Sequence, residues 1–195
     1  LEYACLFDVT LPRLAHRQWP VALGGSSNHF RRDILSQVKG WDAWNVTEDA
    51  DLGLRLYRLG YHVAYLPSLT HEDAAVSLRD WFMQRRRWVK GWIITTAVHL
   101  QNPRALLSSM GAFVFVLFAS QCLGLISAIL FWPLTFFGIP YTLFTQNLSW
   151  LEIIALAVPL LISLPVIAWP LITGAKQRQH PLPAWIYPAL PVYFL

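Results

Sequence analysis

Two textures divide the chain: up to about residue 104 apolar positions recur at spaced intervals among charged ones, and beyond it they run together almost without interruption. In the first texture, residues 45–60 read as a helix. Leu52, Leu56 and Leu59 share one stripe, with Arg55 and Arg58 turned outward. Thr47 stands at the N-cap, Glu48 and Asp49 sit in the first turn against the positive dipole end, and Gly60 supplies the stop. Residues 61–66 then predict a short strand ended by Pro67. This helix-to-strand step indicates an α/β domain. A further helix is expected to begin near Arg32 or Asp33, and residues 78–92 predict a helix that mixes arginines with tryptophans.

The second texture predicts membrane spans. Residues 106–132 exceed the roughly 20 apolar positions a helix needs to cross a bilayer, giving a first span at about 106–132. Pro133, Gly138 and Pro140 break the next stretch into an outer connection. Glu152 opens a second span at about 151–173, with kinks expected at Pro159, Pro165 and Pro170, and a truncated third is approached from about residue 182. Arg85, Arg86, Arg87, Lys90 and Arg104 flank one end of this hairpin and Lys176 and Arg178 the other, so both ends are expected in the cytoplasm. The spans carry no internal charge, which leaves a plain anchor and a pathway lining equally open.

Charge sharpens the division. Residues 1–104 hold 13 Lys/Arg and 10 Asp/Glu, whereas residues 105–195 hold only Lys176, Arg178 and Glu152. With 55% hydrophobic residues overall, this excludes a disordered chain, a collagen-like chain and a single soluble domain with one ordinary core. The net charge of +4 is concentrated near residues 85–90, which argues against a nucleic-acid partner. Cys5 and Cys122, one in each half, offer neither a disulfide framework nor a CxxC site. A leucine at position 1 and an apolar run at residues 191–195 suggest an excerpt from a longer protein.

Three segments carry candidate chemistry. Residues 23–32 combine Gly24, Gly25, Ser26 and Ser27, either as a loop that admits a ligand close to the backbone or as a tight turn before a helix; His29 reads as a packed or capping histidine. Asp49-Ala50-Asp51 has the spacing of a metal-binding DxD, yet residues two apart on a helix diverge by about 200°, so no metal site is expected in this chain. Asp49 at the first turn can act as a general base in a cleft or simply cap the helix. On the following helix Gln84, Arg87 and Trp88 stand at i, i+3 and i+4, with Trp81 and Trp92 along the same side and Arg86 and Lys90 elsewhere. A guanidinium fork suits a diphosphate and an indole face suits a sugar ring. An interfacial amphipathic helix lying on anionic lipid explains the same residues equally well.

Thr47-Glu48-Asp49, then Gln84-Arg85-Arg86-Arg87-Trp88, then apolar spans, resemble in order and separation the TED and QxxRW motifs of membrane-integrated family 2 glycosyltransferases, such as the cellulose, chitin, hyaluronan and poly-N-acetylglucosamine synthases. The resemblance covers about residues 20–175. It implies a GT-A fold, with residues 1–78 as the acceptor-side part of the catalytic domain, 79–104 as an interfacial helix and 105–195 as the membrane region. It implies Asp49 as the general base, supported by Thr47 and Glu48, with Gln84 and Arg87 near the donor diphosphate. Trp88 would support the acceptor sugar, with Gly25 and Ser26 on the acceptor side. Inverting transfer of a hexose or N-acetylhexosamine from a UDP-sugar to a growing polysaccharide at the cytosolic face of a bacterial inner membrane is the implied reaction. The Mg²⁺ or Mn²⁺ and the uridine-binding aspartates would belong to an upstream half, so the chain alone is expected to be inactive. A partner subunit for export is left open. Two other readings stand beside it: a non-processive transferase acting on a lipid acceptor, and a non-catalytic membrane module that binds anionic lipid.

Overall fold

In the computed structural model of the chain, residues 3–68, 70–120, 137–138, 140–142, 144–145, 149–178 and 183 are described, the side chains of 155–167 excepted. They fall into two compact units, Leu11–Cys122 and a second formed by Leu1–Thr10 with Leu123–Leu195.

The first unit is helical: α1 (Leu11–His16), α2 (Arg32–Gln37), α3 (Glu48–Arg58), α4 (Leu78–Leu100), α5 (Pro103–Met110) and α6, the helical residues 112–120. α3 is its centre and buries two opposite sides. Leu52 and Leu56, one turn apart, join Val38 in one cluster with Phe30 and Ile34 packed against it. Leu54 points the other way, into Leu106, Met110, Val114 and Phe118. Leu59 was expected to complete the Leu52/Leu56 stripe, but it is the C-cap residue and is exposed. The stop itself follows the expected chemistry: Gly60 has φ +83°, its N–H reaches the Tyr57 carbonyl at 2.9 Å and the Tyr61 N–H reaches that of Leu56 at 3.0 Å. This paired arrangement satisfies carbonyls the helix end would otherwise leave open.

The strand expected at residues 61–66 does not form. The segment ends in a tight turn around Pro67, with the Ser68 N–H 2.8 Å from the Leu66 carbonyl, and among the described residues there is no strand. A strand exists through the ladder it shares with a neighbour, and none of the described segments offers one. The α/β class is therefore absent from the described residues, which build helices and irregular connections.

α4 starts at Ser77, whose hydroxyl accepts from the Asp80 N–H at 3.1 Å. It runs 23 residues before Asn102 caps α5 and Pro103 takes that helix's first position. The span expected at 106–132 is not one helix. Gly111, at φ +76° and ψ 158°, ends α5, and Leu106 and Met110 are buried against α3 rather than turned outward; residues 121–132 lie outside the described ones.

In the second unit, residues Ala4–Thr10 form a π-helical segment packed on α7, the helix Trp150–Gln177. Ser149 and Glu152 close a reciprocal capping box at its start, and the helix continues through Pro159, Pro165 and Pro170. A Cβ at Gly174 would lie 2.8 Å from the Ala4 carbonyl oxygen, so glycine sets that close approach. Arg178 pairs with Asp8, its Nη2 2.9 Å from Oδ1. Among the described residues no helix is long and apolar enough to cross a membrane. The expected second span coincides with α7 in backbone, while the third, from about 182, lies outside the described residues apart from Pro183.

Candidate functional site

Asp49 occupies the first turn of α3 and is half-buried. Its Oδ1 accepts from the Ala50 N–H at 2.7 Å. Its Oδ2 faces Gly25, where an added Cβ would come within 3.4 Å. The backbone of the glycine loop and the carboxylate are thus brought together. Burial pushes the Asp49 carboxyl above its ordinary value; the neighbouring Glu48 charge adds to the rise, and the Ala50 N–H only partly opposes it. A more basic carboxylate is better suited to accept a proton.

The loop facing Asp49 is held by its own side chains. Ser26 donates its hydroxyl to Glu72, Ser27 and Thr70 hydroxyls lie 2.6 Å apart, and Asn28 donates to the Gly24 carbonyl. Ser27 adopts φ +59°, a left-handed conformation that is costly outside glycine and is sustained here by the Thr70 contact. Ser26 is therefore engaged with the segment after residue 69 rather than directed at Asp49. His29 is exposed.

Thr47 holds the N-cap position without capping. Its hydroxyl makes no bond to the helix N–H groups. It lies 3.3 Å from Asn45 Oδ1 and 3.2 Å from Thr95 Oγ1, while Asn45 Nδ2 donates to Thr95 at 2.7 Å. All three residues are buried. Asn45 Oδ1 also accepts the Thr47 N–H at 3.1 Å, closing a local turn of the kind asparagine favours. At Gly91 a Cβ would stand 2.6 Å from Thr47 Oγ1, so α4 approaches the TED segment through a glycine. Glu48 is half-buried beside this seam.

Asp49 and Asp51 diverge as their spacing requires. Asp51, 4% exposed, receives His99 Nε2 at 2.9 Å and Arg55 Nε at 2.7 Å. Burial alone would raise its pKa, but the hydrogen bonds from His99 and Arg55 outweigh it and hold the carboxyl below the ordinary value. Arg55, expected to face out, turns inward and donates to the Val38 and Gly40 carbonyls at 2.7 and 2.8 Å. Among the described residues no group of His, Cys, Asp and Glu could hold a metal ion, and Asp51 is committed to His99 and Arg55.

On α4 the members of the sequence-predicted trio differ in exposure. Gln84 and Trp88 are half-buried on the inner side, whereas Arg87 is exposed on the flank. The guanidinium that joins the indoles is Arg85: its Cζ lies 4.6 Å from the Trp88 ring centroid and 5.6 Å from that of Trp81. Sequence reasoning missed both Arg85 and His99. The signal was present, since positions 81, 85, 88, 92, 95 and 99 repeat at spacings of four and three and so fall on one stripe.

The model of glycosyl transferase family group 2 matches residues 6–172. The Probable glycosyltransferase YdaM of Bacillus subtilis is 37% identical over 68 residues, covering 34% of this chain and 16% of the relative. The cellulose synthase catalytic subunit (UDP-forming) of Pseudomonas fluorescens is 41% identical over 68 residues, covering 34% of this chain and 9% of the relative. The chain thus spans a small fraction of the curated relatives it matches, and no solved structure matches it. With residues 6–172, most of its length, inside the family model, this chain belongs to glycosyl transferase family group 2.

Proposed function

We propose that the full-length protein transfers a sugar from a UDP-sugar to a carbohydrate hydroxyl with inversion, extending a polysaccharide, and that Asp49 is the general base. The observation that carries this reading is the pairing of Asp49 with Gly25: a half-buried carboxylate of raised pKa facing a stretch of backbone without a side chain. In the step proposed, Asp49 takes the proton of the acceptor hydroxyl as its oxygen attacks the anomeric carbon, the bond to the UDP oxygen breaks, and the negative charge passes to the leaving diphosphate. Arg87 and Gln84 are assigned to that diphosphate and Trp88 to the acceptor ring. Gly25 and Ser26 keep the acceptor-side loop, with Thr47 and Glu48 supporting the base.

The polymer assignment is supported by the similarity to a cellulose synthase catalytic subunit. A GT-A catalytic domain is proposed for the whole enzyme from family membership. The Mg²⁺ or Mn²⁺ of the family is assigned to residues outside this chain, and no step is routed through it. Attachment of the protein to a bacterial inner membrane, with Asp49 on the cytoplasmic side, is supported by the near-absence of charge over residues 105–195 and the basic residues that flank it.

Incorporation of radiolabel from a UDP-sugar into polymer by the full-length enzyme is the test. Losing a positioned base costs about 10² to 10⁴ in rate, so Asp49→Asn is expected to lose nearly all synthesis while retaining UDP-sugar binding. Synthesis at more than about a third of the wild-type rate would remove the assignment.

A further inference from the structure

We propose that His99 of α4 is a positioning residue for the general base, acting through Asp51; the inference rests on the assignment of Asp49. The start of α3 is tied to α4 just before Asp49, where Asn45 and Thr47 meet Thr95, but Thr47 makes no cap bond to the helix, so holding the first turn on both sides of Asp49 needs a second tie after it. Asp51 supplies one. It lies two residues after Asp49, is almost fully buried, and is held on one oxygen by Arg55 of its own helix and on the other by His99. Arg55 moves with α3 and cannot fix it to α4. His99 can, since it is 2% exposed, belongs to α4 and has Phe118 edge-on to its ring at 6.1 Å.

The ring has only one tautomer that satisfies its neighbours. Arg58 Nη1 lies 3.2 Å from Nδ1, and a guanidinium nitrogen can only donate. Nδ1 therefore presents its lone pair, and the ring proton sits on Nε2, where it is donated to Asp51. Arg58 thus orients His99, His99 orients Asp51, and Asp51 sets the turn that aims Asp49 at Gly25. This couples the helix that carries Gln84, Arg87 and Trp88 to the helix that carries the base, so that both sides of the reaction share one reference.

The full-length enzyme is assayed as wild type, His99→Phe, His99→Gln and Asp49→Asn, with kcat, donor KM and thermal unfolding measured for each. His99→Phe keeps the ring packing against Phe118 and removes both hydrogen bonds. A base displaced by about 1 Å costs on the order of 10²-fold in rate, so kcat is expected to fall roughly 10- to 100-fold at an unchanged donor KM. His99→Gln retains a donor for Asp51 and is expected to recover most of that loss. Should His99→Phe not fold, Asp51→Asn reads the same contact from the other side and is expected to show the same fall in kcat at constant KM. If His99→Phe folds and keeps wild-type kcat, or if His99→Gln is as slow as His99→Phe, the inference is overturned while the base assignment stands. If Asp49→Asn is fully active, the base assignment fails and the inference falls with it.

Discussion

Three arginines in a row on α4 meet two different surroundings. Arg85 is stacked between Trp81 and Trp88, whereas Arg86 and Arg87 are exposed. Lysine keeps the charge but loses the planar fork and much of the stacking. Arg87→Lys is therefore expected to reduce transfer strongly if the fork grips a diphosphate, and Arg86→Lys to leave it near wild type. Arg85→Lys should act differently, loosening Trp88 by about 1 kcal/mol and raising the acceptor KM more than it lowers kcat. Steady-state kinetics of the three variants separates these outcomes, and equal mild effects at all three would return α4 to a lipid-binding helix. Asp51 gives a second residue-scale prediction. Its folded-state pKa is depressed, so its contribution to stability is present above the ordinary carboxylate value and is lost as pH falls through the lower, folded one. Asp51→Asn should cost about 1–3 kcal/mol near pH 7 and progressively less in strong acid, measured by denaturant unfolding across that range. A cost independent of pH would contradict the ion-paired network. Asp49 has the opposite sign, since burial raises its pKa. The acid limb of activity is therefore expected above the ordinary carboxylate value.

Among the elements, the contact between α4 and the start of α3 is set by a missing side chain. Alanine is favoured over glycine by about 1 kcal/mol inside a helix, yet at Gly91 its Cβ would overlap Thr47, which is buried and held by its contact with Thr95 one turn along α4. Overpacking of this kind costs about 1–3 kcal/mol, so Gly91→Ala is expected to lower both thermal stability and transfer. An unchanged melting temperature would mean that the helices can separate without loss. The limits of α3 were legible in the sequence because its stop depends on Gly60 and its start carries an acidic first turn, both local features. What those features could not reveal was the use to which Thr47 and Arg55 are put, because their partners lie far along the chain. The strand at 61–66 failed for the same reason: β-propensity describes one segment, whereas a strand requires another. Leu54 was overlooked because a single-stripe reading assumes one buried face, and α3 lies between two clusters. Arg85 was passed over in favour of Arg87 because the QxxRW spacing draws attention to positions 84, 87 and 88, while the packed stripe runs through 81, 85 and 88.

At the scale of the whole molecule the contrast in charge between the two halves outweighs any single motif. Residues 105–195 are too apolar to be accounted for by the burial of Leu106, Met110, Val114 and Phe118 alone, and many of their described neighbours, including Phe113, Val116, Trp150, Leu151 and Trp169, are exposed. Exposed apolar surface on this scale marks a contact with lipid or protein. The arrest of α5 at Gly111 and the burial of Val114 and Phe118 beyond it hold this stretch to the cluster around Leu54 of α3, which a count of apolar residues does not detect. If the membrane attachment proposed above holds, the basic residues near 85–104 and 176–178 stay in the cytoplasm, and the intervening segment must reach the opposite side. In intact cells producing the full-length protein, Asn147→Cys is then expected to react with an impermeant thiol reagent, and Gln177→Cys only after the cells are opened. A carrier variant lacking Cys5 and Cys122 removes the background. Labelling of Gln177→Cys from outside, with Asn147→Cys protected, would put Asp49 on the side away from cytosolic UDP-sugars and overturn the proposed reaction along with the topology.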